Sequence, residues 1–221
     1  MRILFVGNSY TYFNDMPRTL QGIAAAEGLC WTVESVTKGG WSFAQYADPE
    51  NVMHAPLAEK LQEKWDAIIL QEQSYRPISD RANFLGGAKG VCAMMQQKPE
   101  KLLFYATWGR KDGCPLLDEL KLTRLEMTAE LHEAYADAAA QNGGSLSDVG
   151  GAFAYVYERY PEIELYTPDL SHPSAAGSYL GALIHFHSLT GTLPASVRHL
   201  PEKVTLAQAE TLLSAARDYL G

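Results

Sequence analysis

The chain has 221 residues, with 18 lysines and arginines against 26 aspartates and glutamates, for a formal charge of −8. Apolar residues make up 47% and charged residues 20%, which excludes the disordered, collagen-like and low-complexity classes. The acidic balance argues against nonspecific binding to nucleic acid or to an anionic membrane, because both need a basic face.

Short apolar runs alternate with longer helical patterns. Arg2–Val6 is predicted as a buried strand, followed by turn residues and a helix near Met16–Glu27, with Pro17 tolerated in its first turn. Trp31–Val36 is a second predicted strand, ended by Lys38-Gly39-Gly40. Asp66–Leu70 is a third, and its continuously apolar Ala67-Ile68-Ile69-Leu70 fits a parallel strand covered on both faces. A helix around Arg81–Gln97 leads to the strand Lys101–Thr107. One long helix of about Leu116–Gln141 follows, stopped by Asn142-Gly143-Gly144, and Leu146–Val149 is a short fifth strand. Helices at Ser174–Leu189 and Thr205–Leu220 close the chain, the last opened by Thr205 and Gln208 at capping-box spacing.

This alternation implies an α/β fold: about five mostly parallel strands in one sheet, helices on both faces, and right-handed crossovers. Ligand sites in such sheets lie outside the carboxyl ends of the strands, so the informative loops are those directly after each strand. The first reads Gly7-Asn8-Ser9-Tyr10-Thr11. Glycine permits a sharp turn, and a serine there places its hydroxyl over the sheet edge beside backbone N–H groups, an arrangement suited to acyl transfer. The same residues also suit an ordinary turn and cap, or a phosphate cradle at a helix N-terminus.

Gly39-Gly40-Trp41-Ser42 follows the second strand and can bring a backbone N–H close to a ligand. Gln71-Glu72-Gln73-Ser74-Tyr75-Arg76-Pro77 follows the third. Strand alternation would put Gln71 and Gln73 on one side and Glu72 on the other, and a glutamine amide can donate to an oxyanion. Near the C-terminus stands Asp169-Leu170-Ser171-His172-Pro173, where a carboxylate three residues before a histidine can hold one ring nitrogen and leave the other as base.

Other signals point away from metal and nucleotide chemistry. His132-Glu133 lacks the second histidine of H-E-x-x-H, His185 and His187 face different ways on a helix, and Gly86-Gly87-Ala88-Lys89-Gly90 is no phosphate-binding fingerprint. Cys30, Cys92 and Cys114 have no C-x-x-C spacing and read as reduced thiols of a cytoplasmic protein. No apolar run is long enough for a membrane span or a secretory leader.

Taken together, Gly7-Asn8-Ser9, a glycine after the second strand, an amide after the third and Asp-x-x-His before the last helices resemble the SGNH/GDSL hydrolases. The resemblance runs in order along residues 1–221 as a single domain. It implies a three-layer, flavodoxin-like fold and a serine hydrolase that cleaves acyl esters without metal or organic cofactor. Carried over by position, Ser9 would be the nucleophile, His172 the base and Asp169 its orienter. The oxyanion donors would be the Ser9 backbone, the Gly40 backbone (with Gly39 as the alternative) and the Gln73 side chain. The family's third block usually reads Gly-x-Asn-Asp, so Gln73 keeps the amide but adds a methylene.

Tyr10, Trp41, Tyr75, Arg76 and Trp108 are candidate substrate-binding residues, Trp108 being equally suited to the core. Arg76 and Arg110 are candidates to hold a carboxylate or to serve as surface charge partners. The substrate would be a small-molecule ester or an acylated carbohydrate with a short acyl group such as acetyl; nothing in the pattern fixes an oligomeric state. Two other readings remain open here, a phosphate- or nucleotide-binding module and a catalytically silent relative.

Overall fold

The computed structural model describes residues 1–221. In chain order the elements are β1 (Arg2–Gly7), α1 (Ser9–Tyr12), a 3-10 turn at Phe13–Asp15, α2 (Met16–Ala26), β2 (Thr32–Thr37), α3 (Phe43–Ala47) and α4 (His54–Leu61). Then come β3 (Ala67–Leu70), α5 (Arg76–Ser79), α6 (Arg81–Ala93), β4 (Lys101–Ala106), α7 (Pro115–Leu120) and α8 (Arg124–Asn142). The chain ends with β5 (Ser145–Asp148), α9 (Val149–Arg159), α10 (Ala175–Thr190) and α11 (Leu206–Leu220).

All five strands pair in parallel, in the order β2-β1-β3-β4-β5. Side chains alternate across each central strand with the period of two that a pleated strand imposes. Ile3, Phe5, Ala67, Ile69, Leu103 and Tyr105 enter one core, shared with α2, α9, α10 and α11. Leu4, Val6, Ile68, Leu70, Leu102, Phe104 and Ala106 enter the other, shared with α3, α4, α6 and α8. Burial on both faces is why these strands read as continuous apolar runs. The order reverses between β1 and β3, since β2 lies outside β1. In doubly wound sheets that crevice is where ligands bind, and it aligns the loops after β1, β2 and β3.

Two sequence expectations change. The single helix expected at Leu116–Gln141 is two: α7 ends at Lys121, which is left-handed (φ 57°). A Thr123/Glu126 capping box then starts α8 afresh, and a stop followed at once by a start outweighs a continuous helical pattern. The Ser174–Leu189 and Thr205–Leu220 helices form where expected, each capped by its hydroxyl residue. The short helices α1, α3 and α5 and the eleven-residue α9 were not expected; α3 carries its own capping box, Ser42 with Gln45.

Candidate active site

Four loops and the turn before α10 converge on a cavity of about 220 Å³ at the carboxyl edge of the sheet. Its lining comprises Asn8, Ser9 and Tyr10 from the first loop, Gly40 from the second, Gln73 and Ser74 from the third, Arg110 after β4, and Ser171 with His172. Tyr10 is the one aromatic among them. A larger cavity of about 300 Å³, bordered by Asn14, Asp15, Thr19, Ala175 and Pro201–Lys203, contains neither Ser9 nor His172.

Ser9 is the first residue of α1, with Asn8 as its cap: Asn8 Oδ1 accepts from Tyr10 N at 3.2 Å, while Asn8 Nδ2 donates to Trp41 O at 3.0 Å. One asparagine thus fixes both the turn carrying Ser9 and its separation from the second loop. Gly7 before it has no room for a side chain. A Cβ there would stand 2.5 Å from Thr11 Oγ1 and 2.7 Å from Gln71 Oε1, so close approach, rather than a left-handed φ, requires glycine at this strand end.

Ser9 Oγ lies 2.8 Å from His172 Nε2, and His172 Nδ1 lies 2.5 Å from Asp169 Oδ2. An ionised carboxylate only accepts, so Nδ1 carries the proton and Nε2 is free to accept from the serine hydroxyl. The Asp169–His172 turn is tightened by Leu170 in the left-handed region (φ 62°). Asp169 Oδ1 takes the N–H groups of Ser171 (3.0 Å) and His172 (2.9 Å) and the Thr167 hydroxyl (2.7 Å). Burial works to raise the Asp169 pKa, but these hydrogen bonds and the one from His172 outweigh it and hold the carboxyl well below the usual range.

The two chain ends meet through further contacts. Phe13 stacks on the His172 ring, with centroids 4.3 Å apart and planes 15° from parallel. Asn14 Nδ2 donates to Pro173 O (3.0 Å) and Ser178 Oγ (2.9 Å), and Tyr10 OH is 2.8 Å from Ser171 Oγ.

Gly40 lines the cavity and Gly39 does not. Gly40 has φ +71° with open space where a Cβ would sit, so only its backbone conformation requires glycine; a Cβ on Gly39 would stand 3.0 Å from the Tyr12 hydroxyl. The Gly40 N–H donates to no other protein group. Gln73 also borders the cavity. Its amide oxygen accepts the N–H groups of Tyr75 and Arg76, both at 3.2 Å, which fixes the amide and leaves Nε2 as its other end.

Gln71 and Gln73 do not share a side of one strand, because β3 ends at Leu70. Gln71 is buried and turns toward the first loop, accepting from Asn8 N (3.0 Å) and Thr11 Oγ1 (2.9 Å). Glu72 turns the opposite way, fully buried, and accepts from Phe43 N (2.9 Å) and Gln73 N (2.5 Å). A single carboxylate thereby ties the segment after Gly40 to the segment carrying Gln73. Burial raises the Glu72 pKa to about 7, against the pull of those two N–H groups and of Arg76.

Of the five candidate substrate-binding residues, the cavity includes Tyr10 alone. Trp108 is core: it is buried, stacked between Tyr10 (4.8 Å) and Phe153 (3.9 Å), and its indole N–H donates to Ser171 O at 3.1 Å. It therefore supports the histidine turn from beneath. Trp41 lies under the Lys38 ammonium, 4.0 Å from the ring centre. Arg76, the first residue of α5, stands 4.0 Å from Asp80, the cap between α5 and α6, and Tyr75 packs against the core on the α6–α8 side. Sequence reasoning missed Ser74 and Ser171 as cavity residues; their small polar side chains give no signal apart from their neighbours. Arg110 is not a surface charge partner but a buried residue of the cavity wall.

No helix is long and apolar enough to cross a membrane, and no group of three or more His, Cys, Asp or Glu side chains is arranged to hold a metal ion. No protein-family model and no curated protein matches the sequence. Solved structures do. A protein from Bacteroides uniformis of the DUF4886 family superposes with a TM-score of 0.78 at 18% identity, over 99% of this chain and 93% of its own. An acetylxylan esterase from Geobacillus stearothermophilus shares the fold at 15% identity with a TM-score of 0.61, over 86% of this chain and 94% of its own. A protein from Slackia heliotrinireducens assigned as an SGNH hydrolase is 30% identical over 86% of this chain and 98% of its own, with a TM-score of 0.72. The three-layer parallel fold and that degree of identity place this chain in the SGNH hydrolase family.

Proposed function

We propose that the protein is a serine ester hydrolase with Ser9 as nucleophile, His172 as general base and Asp169 as the residue that fixes the histidine tautomer. The unbroken relay from Ser9 Oγ through His172 to Asp169, at 2.8 and 2.5 Å and open to a cavity, carries this reading. Ser9 Oγ attacks the ester carbonyl carbon while its proton passes to His172 Nε2. The resulting oxyanion is met by the Ser9 and Gly40 N–H groups and the Gln73 amide. The tetrahedral intermediate collapses, the alkoxide leaves with the proton from His172, and an acyl-enzyme remains. Water then attacks the acyl carbon with His172 again as base, which frees the acid and restores the serine. A binding module that merely cradled phosphate would leave the Asp169–His172 pair without a role.

The cavity is small beside the roughly 300–1,000 Å³ of common ligand sites, and polar residues dominate its wall, which favours short acyl groups over long chains. A small-molecule or carbohydrate ester of acetate fits that description. The acetylxylan esterase noted above, similar in fold alone, is consistent with it. Hydrolysis of 4-nitrophenyl acetate, butyrate and octanoate tests the reading. Turnover should be fastest with acetate and disappear in Ser9→Ala; faster cleavage of both longer esters would overturn the short-chain preference. Activity surviving in Ser9→Ala would overturn the nucleophile.

A further inference from the structure

Two arginines are buried in this protein, Arg110 (7% exposed) and Arg124 (3% exposed), and they are treated differently. Arg124 lies between carboxylates: its Nε is 3.6 Å from Asp112, and its Nη2 pairs with Glu158. Its guanidinium also covers the Tyr157 ring at 4.1 Å. That is the usual condition for a buried charge, since an unpaired one is costly. Arg110 has no carboxylate within ion-pair distance. Its Nη2 donates to the Ser74 hydroxyl at 2.7 Å, its guanidinium lies 5.6 Å from the Tyr10 ring centre, and its Nη1 is buried without any partner.

The position of Arg110 is nonetheless fixed. Gly109 packs so tightly on α8 that a Cβ there would meet Arg124 O at 2.2 Å, and the Arg110 N–H contacts Met127 Sδ at 3.4 Å. No Asp or Glu lines the cavity, and Arg110 is its one permanent cation. Burial lowers the Arg110 pKa, yet a guanidinium remains protonated throughout the neutral range. A fixed, desolvated fork with unused donor capacity suits a planar oxyanion better than a neutral hydroxyl.

We infer that Arg110, with Ser74, forms an anion-recognising subsite beside Ser9, and that the preferred substrates are small esters carrying a carboxylate a few bonds from the scissile carbonyl. This inference rests on the proposed esterase reading but extends it from any short ester to an acidic one. Holding Ser74 in place would be a structural role only, and would not discriminate between charged and uncharged esters.

Two matched pairs measure that discrimination: 4-nitrophenyl hydrogen succinate against its methyl ester, with the anion on the acyl side, and 4-acetoxybenzoate against its methyl ester, with the anion on the alcohol side. Spontaneous hydrolysis is subtracted from each. At least one pair should show a preference of about tenfold or more in kcat/KM for the anion, the scale of one charge-assisted hydrogen bond. That ratio should collapse toward one in Arg110→Met and be partly kept in Arg110→Lys, with circular dichroism confirming that both variants fold. In parallel, calorimetric titration with succinate should show binding to the wild-type protein that Arg110→Met loses. Equal kcat/KM within both pairs, with turnover still abolished in Ser9→Ala, would overturn the anion subsite and leave the esterase standing. Succinate binding that requires Arg110 without turnover of any ester would support the subsite and overturn the esterase. Neither turnover nor binding would overturn both.

Discussion

The protein contains two serine–histidine pairs of the same length. Ser9 Oγ lies 2.8 Å from His172, and Ser147 Oγ lies 2.8 Å from His185. Their surroundings differ in two respects. His172 borders a cavity and has Asp169 on its second nitrogen, whereas His185 is wholly buried between Phe5 and Tyr105, and its Nε2 has no partner. Without a carboxylate or access to solvent, burial pushes the His185 pKa down to about 3. A hydroxyl–imidazole contact is therefore not a reactive centre on its own. A third group must set the tautomer and stabilise the imidazolium, and a substrate must be able to reach the hydroxyl.

The most forceful way to test that contrast is to remove each partner in turn. His172→Ala should lower kcat toward 4-nitrophenyl acetate about 10,000-fold, while Ser147→Ala should leave kcat within about threefold. A comparable loss in both would mean that the two pairs do not differ as argued. Asp169→Asn should cost about 10,000-fold in kcat with the Ser9 hydroxyl still in place, since an amide no longer dictates which ring nitrogen carries the proton. Retention of near wild-type kcat in Asp169→Asn would remove the orienting role.

A second test uses proton linkage. An exposed histidine titrates near 6.5, His185 in the folded protein only near 3. Between those values the unfolded chain binds a proton that the folded chain excludes, so this group makes the protein less stable as pH falls, by up to roughly 5 kcal/mol. Glu72 acts in the opposite sense. Its folded pKa of about 7 exceeds the ordinary 4.5, so its contribution is full below 4.5 and is lost as pH rises toward 7. The two slopes oppose each other between pH 4.5 and 6.5. In urea denaturation across that window, His185→Leu should become more stable toward acid, and Glu72→Gln should lose stability toward acid more steeply than the wild type. Parallel curves for all three proteins would contradict these environments. The smallest effect expected is on stability in Ser147→Ala. Loss of its hydrogen bonds with His185 and from the Ser188 hydroxyl should lower the unfolding free energy by about 1–3 kcal/mol at pH 7, and an unchanged urea midpoint would show that the hydroxyl contributes nothing there.

The contrast also marks what the sequence could disclose. Parallel strands covered on both faces announce themselves as apolar runs, and strand ends locate the loops, so the positions of Ser9, Gly40 and Gln73 beside one cavity were readable; the Asp169–His172 turn was legible from its own spacing before a helix. The Ser147–His185 pair was not, because 38 residues separate its members and neither stands at a strand-end loop with turn chemistry. Trp108 was ambiguous for a related reason: the end of a strand borders both core and cavity, and an aromatic ring suits either. Glu72 looked like a residue facing away from the site, whereas it braces two loops of that site from behind. The break between α7 and α8 was legible in principle from Thr123 and Glu126, but a continuous helical pattern obscured it. Arg110 carried no sequence signal of burial; only the packing of Gly109 against α8 places its charge in the cavity wall.

The central claim is that the Ser9 hydroxyl, out of every hydroxyl in the chain, is activated by His172. Labelling of the intact protein with a fluorophosphonate probe, followed by peptide mass mapping, examines this directly. A single adduct is expected on the peptide containing Ser9, absent in His172→Ala and present in Ser147→Ala. Labelling that persists in His172→Ala, or an adduct on any other residue, would contradict it.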